Sequence, residues 1–275
     1  MKMLLRQFAD AFDRPIPGLM LYPLATLRAS RRHRRLVRVT DEAGLWVHHH
    51  RAAKLVFRDF SAISPEELDA STHACFFHAY TPKEGDVAIE VGAGVGGETL
   101  SVSRLAGQTG RVIAIEAHPE TYRCLTMLCR LNALDNVTTR QAAVMDQPGS
   151  VTISDLDTHV TNTVLGSGGR GIEVPAITLD DLVEAEGLTR IDFLKMNIEG
   201  AELLALEGMR DTLGMVENLV VSCHDFVADE TGDDSMRTKS RVREVLEASG
   251  FVVSDRPTHR SPWIRDALYG KKRVS

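Results

Sequence analysis

A chain of 275 residues, 43% hydrophobic and 25% charged, has the composition of a folded globular protein with a sizeable core, and its length suits one large α/β domain with an N-terminal extension. The net charge of −6 and the 5% aromatic content give no overall pull towards nucleic acid, which is disfavoured as a partner. No apolar run reaches 18 residues and no signal-peptide pattern opens the chain, so neither a membrane span nor export is expected; Cys75, Cys124, Cys129 and Cys223 form no C-x-x-C pair and fit buried thiols in a reducing cytoplasm.

Residues 1–80 read as an appendage, with Pro15 and Pro17 near the start and no clear alternation of strand and helix. The run from Arg28 to Arg38 holds six arginines, which could meet phosphates, an acidic substrate or a membrane surface, although a solvated helix face accounts for them more simply. His48, His49 and His50 are consecutive, so on a strand they point alternately to opposite faces and do not converge on one metal.

From Asp86 onwards, apolar strand-like segments alternate with helical ones. Strand 86–91 leads into a helix from about Gly97 to Ala106. RVIAIEA makes a strand ending at Glu116, and the next helix, opened by Pro119, turns Leu125, Leu128 and Cys129 to one face. A third strand near 137–144 precedes Asp146 and a hairpin or insertion through Gly171, in which Gly166, Gly168, Gly169 and Gly171 suggest a mobile loop able to cover a site. Thr178 and Asp181 resemble a capping box for the helix TLDDLVEAEG. IDFLKMN is a fourth strand ending at Asn197, a helix follows over 200–213, and LVVSC is a fifth strand ending near His224. Residues 237–249 are an amphipathic helix stopped by Gly250, and FVVSD and DALYG lie close enough to pair as an antiparallel hairpin at the sheet edge. The expected architecture is a Rossmann-like, doubly wound, seven-stranded α/β sheet, mostly parallel, over residues 81–275.

In such a sheet ligands bind beyond the carboxyl ends of the strands, where Glu90, Glu116, Asp146, Asn197, Glu199, His224 and Asp225 all fall. The most informative stretch is DVAIEVGAGVGGET, residues 86–99, in which a strand runs into four glycines that let the backbone approach a ligand closely. Gly92, Gly94 and Gly97 also satisfy the G-x-G-x-x-G pattern of dinucleotide enzymes, with Glu116 near the place of their ribose acid. Hydride transfer, however, lacks a Tyr-x-x-x-Lys pair and any second cofactor-domain signature.

Taken together, IEVGAGVGGET, IEAHP, ITLDDL and KMNIEGAE resemble the FkbM-type family of S-adenosylmethionine-dependent methyltransferases, over roughly residues 80–225. Two positions depart from the family's usual pattern: Glu90 stands where aspartate is common, which keeps the charge, and Asn197 replaces an aspartate, which removes a carboxylate. The resemblance implies S-adenosylmethionine as cofactor and S-adenosylhomocysteine as product. Glu90 and the loop Gly92, Ala93, Gly94 and Gly96 would hold the methionine portion, and Glu116, with Ala117 beside it, the ribose diol. Asp146 would accept from the adenine amino group or else form the turn before Pro148 and Gly149. Asn197 and Glu199 would contact cofactor or substrate, Glu199 having the second reading of a first-turn helix acid.

The implied reaction is O-methylation of a hydroxyl on a small molecule such as a polyketide or glycoside. His224 is the expected base, Asp225 its orienting partner or the proton acceptor itself, and Asn197 an amide that orients the acceptor; a strand-end cap is the other reading of His224. A divalent cation on Asn197, His224 and Asp225 is conceivable but not favoured, since imidazole suits magnesium poorly. Residues 1–80 and the Gly166–Gly171 loop would form the acceptor pocket or its lid. N-methylation, a nucleic-acid substrate and a non-catalytic nucleotide-binding module stand as alternatives, and a homo-oligomer is left open.

Overall fold

A computed structural model describes residues 18–154 and 171–273. The expected loop glycines Gly166, Gly168 and Gly169 lie outside the described residues, and Gly171 opens a strand. The chain divides into two compact units, Met1–Pro65 and Glu66–Ser275.

In the first unit, helix α1 (Gly18–His33) precedes three antiparallel strands, β1 (Arg38–Glu42), β2 (Leu45–His49) and β3 (Lys54–Phe57). The sequence showed no clear strand pattern here. The β1–β2 turn is built on Ala43 and Gly44, both at positive φ (54° and 80°), the backbone that a two-residue hairpin with right-handed strand twist requires. α1 lies on the sheet through buried Ala25 and Ala29, and its Thr26 and Ser30 hydroxyls accept the amides of Val39 and Val37, each at 2.9 Å. The three histidines alternate as expected: His49 meets the Thr40 hydroxyl at 2.8 Å, while His48 and His50 are buried on the other face, their rings stacked 6.4 Å apart. Burial, followed by the neighbouring His50 and His33, pushes His48 down to about 4, so its ring is uncharged at neutral pH.

The second unit opens with α2 (Pro65–Cys75). Its sheet has the order β12-β13-β11-β10-β4-β5-β6, formed by β4 (Val87–Val91), β5 (Arg111–Glu116), β6 (Val137–Gln141), β10 (Ile191–Met196), β11 (Val216–Ser222), β12 (Phe251–Asp255) and β13 (Ala267–Lys272). β6 to β11 run parallel; β13 is antiparallel to both β11 and β12. The central strands VAIEV and IDFLKM are buried on both faces, which is why they are mostly apolar with no period-two alternation, Glu90 and Lys195 being buried charges within them.

Helices α3 (Gly97–Ala106) and α4 (Pro119–Leu131) follow β4 and β5, and α4 buries Leu125, Leu128 and Cys129 as its periodicity predicted. The third predicted strand is instead two pieces. β6 ends at Gln141, and β7 (Ala143–Val144) leaves the main sheet to pair with β9 (Gly171–Ile177), which also pairs antiparallel with β8 (Gly149–Ser154). Ile153, Val174 and Ala176 form a small core under this insert with Ala143 and Met145.

α5 (Leu179–Ala185) starts at Thr178, whose hydroxyl accepts the Asp181 amide at 3.0 Å. The helix predicted over 200–213 is shorter, α6 (Glu202–Glu207), followed by a 3₁₀ turn at Thr212–Met215. α7 (Asp225–Thr231), a 3₁₀ turn at Asp234–Met236, α8 (Lys239–Ala248) and α9 (Pro262–Arg265) complete the described elements. All four cysteines are buried and reduced.

Candidate functional site

The carboxyl ends of β4, β5 and β10 converge on a cavity of about 280 Å³, close to the lower end of the roughly 300–1,000 Å³ typical of ligand sites. The glycines beneath it do different work. Gly92 (φ 75°) packs so closely on the next strand's loop that a Cβ would meet the Asn197 carbonyl oxygen at 2.0 Å, whereas Gly94 (φ 58°) has nothing within 4 Å of such an atom and lies open on the cavity wall. Gly96 and Ala93 are on the far side of the loop, away from the cavity lining: Gly96 packs on Leu125 of α4, and Ala93 is fully buried. The loop is pinned to β5 by the Gly92 and Ala93 amides, which donate to the Ile115 carbonyl at 2.9 and 2.8 Å.

Glu116, at the end of β5, reaches the cavity with one backbone donor on each carboxylate oxygen: Gly94 N–H at 2.9 Å on one and His118 N–H at 2.9 Å on the other. Burial raises its pKa, and those two amides pull it back down. A carboxylate oxygen has two lone pairs, so both oxygens keep capacity for a ligand's hydroxyls. Ala117 also lines the cavity, as do His118, Thr121, Glu98 and Met145, none of which the sequence reading had singled out.

Glu90 departs from its expected position. It is completely buried under the loop and does not line the cavity. The Thr99 hydroxyl and the Lys195 ammonium are its polar neighbours. Burial pushes Glu90 up to about 7, with Lys195 opposing. Lys195 is its register partner on β10, a buried ammonium that donates to the Gly92 carbonyl at 2.6 Å, lies 5.0 Å from the Phe76 ring and forms part of the cavity wall. A lysine near the carboxyl end of IDFLKM, after the apolar Phe193 and Leu194, was the available signal for this residue.

Asn197 and Glu199, from the loop after β10, both line the cavity. Glu199 has φ 47°, a left-handed backbone that costs a non-glycine residue about 1–2 kcal/mol and is held by its surroundings. Its carboxylate lies 3.2 Å from His224 Nε2, while His224 Nδ1 lies 3.0 Å from Glu202. Glu202, fully buried at the start of α6, also accepts the Thr238 hydroxyl and the Gly200 amide, each at 3.0 Å. Burial disfavours the charge on His224, but the hydrogen bonds and charges of Glu199 and Glu202 outweigh it and carry the group up to about 9.

The geometry therefore differs from the expected neutral base. Both ring nitrogens face carboxylates, which suits an imidazolium, and no nitrogen is left for a substrate proton. Asp225 is also committed elsewhere, one of its oxygens accepting the Thr238 and Lys239 amides at 3.0 Å each at the start of α8. Neither His224 nor Asp225 lines the cavity, and neither does Asp146, which sits in the bend after β7. Among the described residues no group of three or more histidine, cysteine or acidic side chains is arranged to hold a metal ion.

A doubly wound sheet with a glycine loop after its central strand and an acid at the end of the next defines a Rossmann-like α/β domain whose ligand site lies beyond the carboxyl ends of its strands. The chain belongs to the methyltransferase FkbM domain family, whose model matches residues 90–253. Among curated proteins it is 39% identical over 103 residues to a probable cobalt-precorrin-6B C(15)-methyltransferase (decarboxylating) of Methanothermobacter thermautotrophicus, covering 37% of this chain and 49% of that protein. It is 26% identical over 142 residues to the hexuronic acid methyltransferase AglP of Haloferax volcanii, covering 52% and 57%. The chain thus spans about half the length of the curated relatives it matches. Among solved structures, the methyltransferase FkbM of Methylobacillus flagellatus superposes with a TM-score of 0.51 at 17% identity, over 75% of this chain and 50% of that one, a likeness of fold.

Proposed function

We propose that this protein transfers a methyl group from S-adenosylmethionine to a hydroxyl of a small molecule. One observation carries the cofactor reading: Glu116 presents two partly satisfied carboxylate oxygens to a cavity whose facing loop is open at Gly94. That arrangement suits a ribose diol. Gly92, Gly94, Lys195 and Glu98 would hold the methionine portion, and Ala143, Val144 and Met145 form an apolar wall suited to the adenine. When bound, the cofactor supplies an electrophilic methyl on a sulfonium sulfur. The protein's own task is then to align an acceptor with it and exclude water.

The charge around the cavity favours a neutral acceptor over an anionic one. Glu98, Glu116 and Glu199 line it, while the ammonium of Lys195 is turned onto the Gly92 carbonyl. Glu199 takes the role of proton acceptor. One of its oxygens is engaged by His224 and the other is available to a hydroxyl, and Asn197 orients that hydroxyl through its amide. His224 acts through Glu199, holding it in place, with Glu202 fixing His224 from behind. The relatives are named for a hexuronic acid in one case and a cobalt-precorrin in the other, which supports a small-molecule acceptor; the preference for a neutral one rests on the cavity's charge alone.

Calorimetric titration tests the reading. S-adenosylhomocysteine should bind and NADH should not, and Glu116→Ala should weaken the first by at least about tenfold, since hydrogen bonds to a charged group contribute roughly 1.5–3 kcal/mol each. Binding of NADH alone, or undiminished binding by the variant, would refute it.

A further inference from the structure

The methyl-transfer reading leaves the arginine-rich start of the chain unused. Residues 14–40 contain seven arginines and no acidic residue, in a protein whose net charge is −6. The structure sorts the described part of this segment, from α1 onwards, into two faces. The inner face of α1 is spoken for by Ala25, Thr26, Ala29 and Ser30, which dock on β1 and the residues just before it. The outer stripe is Leu24, Leu27, Arg28 and Arg31, at the i, i+3, i+4, i+7 spacing that places four side chains in one row. Leu24 and Leu27 are 60% and 47% exposed, and Leu36, just beyond the helix between Arg35 and Val37, is 80% exposed. Arg28, Arg31 and Arg34 are exposed beside them.

Exposed leucines interleaved with arginines, and no acid among them, fit a surface that is both negatively charged and apolar beneath. We propose that this face of α1 binds the headgroup region of an anionic lipid bilayer, with the leucines entering the acyl boundary and the guanidinium groups at the phosphates. Charge complementarity selects this occupant. A second copy of the chain would set the same arginines against one another. A single-stranded nucleic acid would call for exposed aromatic rings, yet Phe60, which lies 5.3 Å from the Arg28 guanidinium, and Tyr22 and Trp46 are half-buried, with Trp46 packed on Tyr22 at 5.0 Å and on Phe60 at 5.6 Å.

Flotation of the full chain with vesicles tests the assignment. Vesicles of phosphatidylcholine containing about one-third phosphatidylserine should carry the protein and pure phosphatidylcholine vesicles should not, with binding falling as salt rises. Each arginine at an anionic surface strengthens binding about fivefold, so Arg31→Glu with Arg34→Glu should weaken it by well over about tenfold. Leu24→Ser with Leu27→Ser should also weaken it. All four side chains are exposed, and unchanged thermal unfolding of both variants confirms that the fold is intact. Absence of binding to the anionic vesicles, equal binding to neutral ones, or indifference to both variants would overturn the proposal. So would a single-stranded RNA that displaces the vesicles, which would reassign the face to nucleic acid, or dimerisation abolished by the leucine changes without vesicle binding, which would reassign it to a second copy. None of these outcomes depends on the methyl-transfer reading.

Discussion

Raising the pH past the titration of His224 should remove a defined part of the protein's stability. His224 is 4% exposed, with Nδ1 3.0 Å from Glu202 and Nε2 3.2 Å from Glu199. Burial alone would lower its pKa, and the two carboxylates carry it instead to about 9 from the ordinary 6.5. At 1.36 kcal/mol for each pH unit, that difference corresponds to ~3 kcal/mol of folding free energy. The folded value lies above the unfolded one, so the contribution is complete below about pH 6.5 and is lost as the pH rises through about 9. The direct assay is NMR of the His224 ring, labelled at Nδ1 and Nε2, followed from about pH 5 to about pH 10. Both nitrogens should remain protonated through neutrality. Urea unfolding at about pH 6 and about pH 9.5 gives the energetic counterpart, with Glu202→Gln as the comparison, because that change removes one of the two charges that hold the imidazolium. The wild type should lose more stability between the two pH values than the variant. A ring that titrates at or below 6.5, or identical losses in the two proteins, would refute the reasoning.

Gly92→Ala should destabilise the fold by at least ~2 kcal/mol and weaken S-adenosylhomocysteine binding, since φ is unfavourable for a side chain and the new Cβ would meet the Asn197 carbonyl; equal urea midpoints would contradict this. Glu90→Gln should have the opposite sign in the unliganded protein. Glu90 is pushed from 4.5 to about 7 by burial, so the wild type loses stability as the pH rises through that interval, and above it the uncharged variant should be more stable by up to ~3 kcal/mol. A wild type as stable as the variant at about pH 8 would count against a carboxylate whose burial outweighs its polar neighbours. Thr178→Ala removes the cap of α5 and should cost ~1 kcal/mol by thermal or urea unfolding, with ligand affinity unchanged.

The parallel core of the fold was legible in the sequence because its signals are local and redundant. The apolar runs VAIEV and RVIAIE, the glycines after the first and the proline at the start of α4 each specify one strand or helix end, and they agree with one another. The departure of β7 from the sheet was not legible, because Ala143 and Val144 suit either partner and the choice is made by β9, more than 25 residues further on. The three strands of the first unit were missed for a related reason: adjacent Val47 and His48 in β2 are both fully buried, on opposite faces, so the strand has no period-two alternation to read. At the site, residue type and strand end placed Glu116, Asn197 and Glu199 on the cavity. Protonation state was beyond reach, because it depends on the distance from His224 to Glu202, 22 positions away.

β13 runs antiparallel between β11 and β12, although it follows both in the chain. A nascent chain that has emerged only as far as β12 therefore has one edge of β11 open and no place for β12 to pair. Until Ala267–Lys272 arrives, that edge presents unpaired backbone groups to any extended segment nearby, which makes this the stage of synthesis most exposed to mispairing. A truncation that removes β13 would leave the cavity-lining residues in the sequence and would still detach β12 from the sheet, so loss of folding yield, before any loss of ligand affinity, is the phenotype expected of lesions in those six residues.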